Sequence, residues 1–154
     1  MQALTTPKEI TDYLRSHKVK PSLIRLKVMQ YLMGTREHPN VEKIYRSISR
    51  EIPTLSKTSI YNTLKIFASA GVVKEIMIEE NQIRYDAYVD RHGHFKCSVC
   101  GGLSDVDLGC VSCSNQEKLN GAKVLEEHVY MVGVCADCIK KGKARESSRK
   151  VKAG

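Results

Sequence analysis

The chain has 154 residues, 42% hydrophobic and 27% charged, which suits one compact domain or two small ones rather than a disordered segment. No apolar run approaches the roughly 20 residues that a membrane span needs, and residues 1–9 lack the basic and apolar regions of a signal peptide, so a cytoplasmic protein with no membrane partner is expected. The net charge of +8 is unevenly placed: residues 140–154 hold seven Lys/Arg against one Glu, residues 1–78 hold 13 basic against 6 acidic side chains, and residues 79–139 hold 5 against 10. A basic first half suits a phosphate backbone, and an acidic region that also holds histidines suits a divalent cation.

Thr6-Pro7-Lys8-Glu9 reads as a capping box with proline at the first helical position, opening a helix to about His17 with Ile10, Tyr13, Leu14 and His17 on one face. Pro21-Ser22 opens a second, with Ile24, Val28, Tyr31 and Leu32 at helical spacing and Gly34 placed to end it. Asn40 caps a third, with Val41, Ile44, Tyr45 and Ile48 inward. Ser56 caps a fourth over residues 57–70, stopped by Gly71, with Ile60, Leu64 and Phe67 as its buried stripe. The other face carries Lys57, Thr58, Ser59, Tyr61, Asn62, Thr63 and Lys65, with no acid among them. Amides and hydroxyls read base edges while lysines meet phosphates, so this is the composition of a DNA recognition helix. A plain solvated face would be expected to contain Glu. Two β-rich segments, residues 72–78 and 83–88, follow around a polar turn at residues 79–82. Helices closed by such a hairpin make a winged helix.

Beyond Tyr88 the character changes. Short strands are predicted at residues 92–96, 103–108 and 124–134, with a brief helix around residues 115–119, giving a small three-stranded antiparallel sheet. Such a sheet has too small a core to stand comfortably alone and needs a metal, a partner subunit, or both. The tail from residue 140 lacks apolar periodicity and reads as a frayed helix or disordered. The predicted architecture is α+β, with a winged-helix DNA-binding domain at residues 1–88, a small domain at 89–139 completed by metal binding, by dimerisation or by both, and a basic tail at 140–154.

The stretch His92-Gly-His94-Phe-Lys-Cys97-Ser-Val-Cys100 holds two metal half-sites. Histidines at i and i+2 of a strand share a face, and a Cys-x-x-Cys knuckle follows. All six cysteines occur in such pairs, 97/100, 110/113 and 135/138, and in a reducing compartment they favour metal or redox chemistry over structural disulfides. One Zn²⁺ held by four thiolates could come from 97/100 with 135/138, or from 97/100 with 110/113. Spacing alone leaves both open.

His38-Pro39, the run from Ser56 to Leu64 with Tyr61-Asn62, Gly71-Val72-Val73-Lys74-Glu75, Arg84-Tyr85-Asp86, His92-Gly-His94, Cys97-x-x-Cys100-Gly101 and Val134-Cys135-x-x-Cys138 together resemble the ferric uptake regulator (Fur) family. The likeness spans about residues 7–140, and the ordered set is far more specific than any one motif. It implies a metal-dependent transcriptional repressor acting as a homodimer on a palindromic double-stranded operator, with a structural zinc on Cys97, Cys100, Cys135 and Cys138. It further implies a regulatory Fe²⁺ or Mn²⁺ on His38, Asp86, His92, His94 and Asp105. Aspartate at both acidic positions is similar to the peroxide-responsive (PerR-type) branch, in which His38 or His92 would be the oxidised ligand; the iron-uptake type is the alternative, followed by manganese- and zinc-responsive repressors. Three imidazoles and two carboxylates also suit Fe²⁺ or Mn²⁺ on donor chemistry, while thiolates retain zinc. With His38 in the helical half and His92 in the sheet half, one ion is expected to couple metal occupancy to DNA binding.

The sequence departs from the family pattern in places. Arg91 and Gly93 stand where many members have ligands to a third metal, so that site is not expected here although His128 remains. Cys110 and Cys113 read as inert thiols, with a redox couple or a stray metal site as alternatives, and His17 reads as a surface or helix-end residue. A metal hydrolase built on His92-x-His94 lacks a visible nucleophile–base pair or phosphate loop. A zinc ribbon that only holds a protein partner leaves the face of Lys57 and Lys65 unexplained.

Overall fold

The structure is a computed structural model that describes residues 6–79, 82–109, 122–123 and 127–142. The chain forms two compact units, Met1–Asp90 and Arg91–Gly154.

The first unit holds four helices and a hairpin: α1 Pro7–Ser16, α2 Leu23–Met33, α3 Val41–Ile48, α4 Lys57–Ser69, β1 Lys74–Glu79 and β2 Gln82–Asp86. Local chemistry sets the helix starts. The Thr6 hydroxyl accepts from the Glu9 N–H at 3.2 Å and the Glu9 carboxylate accepts from the Thr6 N–H at 2.9 Å, which completes the predicted capping box. Ser22, Asn40 and Ser56 accept from the N3 amides of α2, α3 and α4. Gly71 ends α4 with φ +68, a left-handed turn that glycine adopts without a Cβ clash. Gly34 ends α2 as expected, but as a C-cap in right-handed rather than left-handed geometry.

The core is one cluster in which Ile10 and Leu14 of α1, Val28, Met29 and Leu32 of α2, Ile44 of α3 and the α4 stripe Ile60, Leu64 and Phe67 are all at most 1% exposed. Met29 and Met33 are buried as well. Periodicity assigned α2 a narrower stripe, because its apolar residues run almost all the way round it. Thr63 is 5% exposed, which corrects its placement on the DNA-facing side: it lies one residue before Leu64 and turns into the core. β1 and β2 pair antiparallel, Lys74 opposite Asp86 and Ile76 opposite Arg84, and close the helices as the predicted wing.

The second unit holds β3 Gly93–Cys97, β4 Leu103–Val106, β5 Tyr130–Gly133 and the short α5 Ala136–Lys140. The sheet order is β4-β3-β5. β3 and β4 are antiparallel, but β3 and β5 run parallel, so the sheet is mixed rather than wholly antiparallel. The long connection after β4 permits a crossover that a tight hairpin would forbid. Only residues 130–133 of the strand expected at 124–134 are extended into the sheet, and residues 124–126 lie outside the described set, as do the helix expected at 115–119, Cys110, Cys113 and tail residues 143–154. No helix among the described residues is long and apolar enough to cross a membrane.

Candidate metal centres and nucleic-acid face

The parallel pairing of β3 with β5 sets the first centre. It puts the C-terminal ends of both strands at the same edge, with Cys97 opposite Gly133 and Cys135 two residues beyond it. An antiparallel β5 would have carried the two cysteine pairs to opposite ends of the sheet. After Cys97 the chain turns: its N–H donates to the Gly102 carbonyl at 2.8 Å, its carbonyl accepts from Gly101, and Gly101 takes φ +69. Cys135 caps α5, and Cys138 follows one turn later on the same face.

The four sulfurs of Cys97, Cys100, Cys135 and Cys138 lie within 4.8 Å of one another, with Cys100 and Cys135 3.8 Å apart. Hydrogen bonds from the backbone of Cys100 and Cys135 hold the Cys97 thiol down to about 6, and the N–H of Cys135 stands 3.3 Å from its sulfur. Cys138, whose hydrogen bond with Cys135 favours the thiol and which is desolvated besides, is pushed up to about 12. Four thiolates this close repel unless a cation lies among them, which is the environment that retains Zn²⁺.

The second unit also holds a nitrogen and oxygen cluster. His92 immediately precedes β3, His94 lies within it, and Asp105 on β4 is the register partner of His94. The Nε2 atoms of His92 and His94 are 3.1 Å apart, with rings 4.6 Å apart and edge to face, and Asp105 Oδ1 is 3.7 Å from His92 Nε2. Two nitrogens at right angles, each about 2.1 Å from a shared ion, would be separated by about 3 Å, so this donor pair fits a divalent metal.

The first unit holds a matching pair. His38 is 2% exposed and Asp86 4%, and His38 Nε2 stands 3.9 Å from Asp86 Oδ2. The turn before α3 is stitched to β2 by the Tyr85 N–H donating to the Pro39 carbonyl at 3.0 Å, and the Asp86 carboxylate accepts from the Tyr88 N–H at 2.8 Å. His38 takes φ +47, a left-handed backbone uncommon for residues other than glycine and concentrated at functional sites. The buried polar or charged side chains among the described residues are His38, Asp86, His94 and Thr63. Three of the four are predicted ligands, and burying such groups is costly without a function or a partner.

On α4, Lys57, Thr58, Tyr61, Asn62 and Lys65 are exposed, Tyr61 by 57%. Ser59 is half-buried, its hydroxyl 2.9 Å from that of Ser56. Lys57 is held by Glu42 at 2.5 Å and lies 5.4 Å from the centre of the Tyr45 ring. That pairing joins α3 to α4, and no local spacing in the sequence announces it. The same holds for the Arg91 guanidinium on both oxygens of Glu127, at 2.9 and 3.3 Å, and for Arg36 stacked 3.2 Å over Tyr88. His17 is exposed at the end of α1, as expected of a helix-end residue, and His128 is exposed with its Nδ1 3.2 Å from the Tyr130 hydroxyl.

Comparison with known proteins agrees with this anatomy. The sequence profile described as the ferric uptake regulator family matches residues 16–132. The peroxide operon regulator of Bacillus subtilis is 30% identical over 138 residues, covering 87% of this chain and 94% of that protein. The peroxide stress regulator of Campylobacter jejuni superposes with a TM-score of 0.66 at 26% identity over 88% of this chain and all of that one. The ferric uptake regulator of Helicobacter pylori shares the fold at a TM-score of 0.72 and 22% identity, covering 90% of this chain and 97% of that one.

Proposed function

This chain belongs to the ferric uptake regulator family, and from that premise we propose that it is a metal-dependent, DNA-binding transcriptional repressor that senses peroxide. The observation that carries the reading is the separation of donor types: four clustered thiolates in one place, and imidazoles with aspartates in others. Soft thiolates retain Zn²⁺ as a permanent staple of the second unit, whereas imidazole and carboxylate suit an exchangeable Fe²⁺ or Mn²⁺.

In this reading His38 and Asp86 of the first unit act with His92, His94 and Asp105 of the second as ligands of one regulatory ion. Each 1.4 kcal/mol by which the DNA-competent arrangement prefers the ion changes DNA affinity about tenfold. Lys57, Thr58, Ser59, Tyr61, Asn62 and Lys65 supply the reading face on the first unit, and Thr63 is set aside because it is buried. Among the described residues β5 lies at the edge of its sheet with Val132 66% exposed, and pairing with a second copy of the chain would cover it. A homodimer in turn suits a palindromic operator.

Bound Fe²⁺ would supply local reduction of H₂O₂ and delivery of an oxygen atom to an imidazole, a reaction Mn²⁺ would not support. The chain's part is to hold His38 and His92 beside that chemistry, the first buried and the second largely shielded. An imidazole that has gained oxygen is a poorer ligand, so His38 or His92 lets go and the repressor leaves its operator.

The test is to load the zinc-containing protein with Fe²⁺ or Mn²⁺ without oxygen, add H₂O₂, and follow operator binding by anisotropy together with peptide mass spectrometry. One added oxygen at His38 or His92 in the Fe²⁺ sample, in step with DNA release, is expected. DNA release with both histidines unmodified would overturn peroxide sensing by ligand oxidation. Release on iron withdrawal alone, with indifference to peroxide, would mark the iron-uptake type instead.

A further inference from the structure

His94 meets a second aromatic system on β5. His94 and Tyr130 are register partners across the parallel β3–β5 pair, with ring centroids 6.1 Å apart. Tyr130 in turn stacks on His128, 5.8 Å away and 27° from parallel, and its hydroxyl lies 3.2 Å from His128 Nδ1. His92, His94, Tyr130 and His128 therefore form a continuous row of rings, from the proposed regulatory ligands out to an exposed imidazole.

We propose that Tyr130 is a one-electron donor to the peroxide reaction and that His128 takes its phenolic proton. Tyr130 then competes with His38 and His92 for oxidising equivalents and sets how many peroxide encounters it takes to inactivate the repressor. The inference rests on the peroxide-sensing reading above. Three features support it. The chain has no tryptophan, so a tyrosine is its most readily oxidised aromatic side chain. The Tyr130 and His94 ring centroids are 6.1 Å apart, a short span for electron transfer. A phenol loses an electron easily only when its proton has somewhere to go, and His128 Nδ1, with the ring proton on Nε2, is an acceptor at hydrogen-bond distance.

The step balances as follows. Bound Fe²⁺ would supply one electron to H₂O₂ and Tyr130 the other; the O–O bond would break and two protons would complete two water molecules, one being the phenolic proton passed through His128 and the other coming from solvent. Fe³⁺ and a neutral tyrosyl radical remain, and no oxygen atom enters a histidine in that encounter. One low-molecular-weight thiol restores Tyr130 by giving up a hydrogen atom, a second returns Fe³⁺ to Fe²⁺ by giving up one electron and releasing its proton, and the two thiyl radicals combine to a disulfide.

The experiment uses the full chain with zinc in place, loaded with Fe²⁺ without oxygen and treated with one equivalent of H₂O₂. Wild type, Tyr130→Phe and His128→Gln are compared by freeze-quench electron paramagnetic resonance and by peptide mass spectrometry. The phenylalanine keeps the packed ring, and zinc content with Mn²⁺-dependent DNA binding shows that each variant is folded. A tyrosyl signal is expected in wild type and is lost in Tyr130→Phe, where the share of His38 and His92 carrying added oxygen rises severalfold. His128→Gln, at an exposed site that folding tolerates, weakens the signal and raises histidine oxidation less. Equal histidine oxidation in all three proteins with no tyrosyl signal overturns the proposal and leaves peroxide sensing standing. A tyrosyl signal at Tyr130 with no histidine oxidised in any of them supports the electron donor and refutes the sensing mechanism.

Discussion

Replacing Cys100 by serine tests how far the second unit depends on zinc. Cys100 is the exposed member of the thiol cluster, so the change removes a proposed zinc ligand while taking almost nothing from a core. Among the described residues of Arg91–Gly154, the buried apolar side chains are Cys97, Leu108 and Cys138, and two of these are themselves proposed zinc ligands. Full burial of Leu108 stabilises by about 2 kcal/mol. A structural Zn²⁺ contributes on the order of 10 kcal/mol or more at neutral pH, against whole-domain stabilities of about 5–15 kcal/mol. Loss of the ion therefore outweighs what the described residues of the sheet can supply for themselves. The assay is a thermal melt of the full chain by circular dichroism, with bound zinc measured in parallel, for wild type, chelated wild type and Cys100→Ser. The expected result is loss of the sheet transition in the last two samples while the helical transition of the first unit persists. A zinc-free Cys100→Ser protein whose sheet still melts cooperatively at the wild-type temperature would refute this reasoning.

Phe67→Ala opens a cavity in the helical core, where Phe67 is fully buried, and is expected to cost about 3–5 kcal/mol by urea denaturation. Asn62→Ala should weaken operator binding by about 1–3 kcal/mol and relax specificity, whereas Lys65→Ala should weaken all sequences alike and lower the salt slope by about 1, both measured by anisotropy titration. Thr63→Val should leave operator contacts intact, because its side chain lies in the core; a specific loss of DNA affinity in a fully stable variant would place the hydroxyl back on the reading face. Burial raises the Tyr85 phenol from 10.0 to about 12. The folded state thus disfavours the phenolate, so this contribution to stability is complete below pH 10 and is lost as pH rises toward 12. Tyr85→Phe should flatten the fall in stability over that window, read by denaturation at stepped pH.

Much of the first unit was legible because its signals are local. Thr6 with Glu9, Ser22, Asn40 and Ser56 act within three residues of themselves, and Ile60, Leu64 and Phe67 share a face by helical period alone. The metal-ligand chemistry was legible for a similar reason: Cys-x-x-Cys and His-x-His carry their meaning in spacing. The sequence likewise announced that two donor classes were present, thiolate for one ion and imidazole with carboxylate for another. It left open which cysteine pair would face Cys97 and Cys100 among its three.

Tertiary structure decided what depends on partners far apart in the chain. Strand direction follows from the path of a long connection, so the parallel β5 that brings Cys135 beside Cys97 leaves no mark in either strand's own pattern. Thr63 is buried because the covered arc of α4 extends past the Ile60, Leu64 and Phe67 stripe, while apolar Ile66 is left exposed. The seating of Tyr130 against His94 arises in the same way, from register between strands more than thirty residues apart. Hydrogen bonds from i to i+3 or i+4 act in any stretch of chain, whereas packing and strand register exist only once the distant surfaces have met.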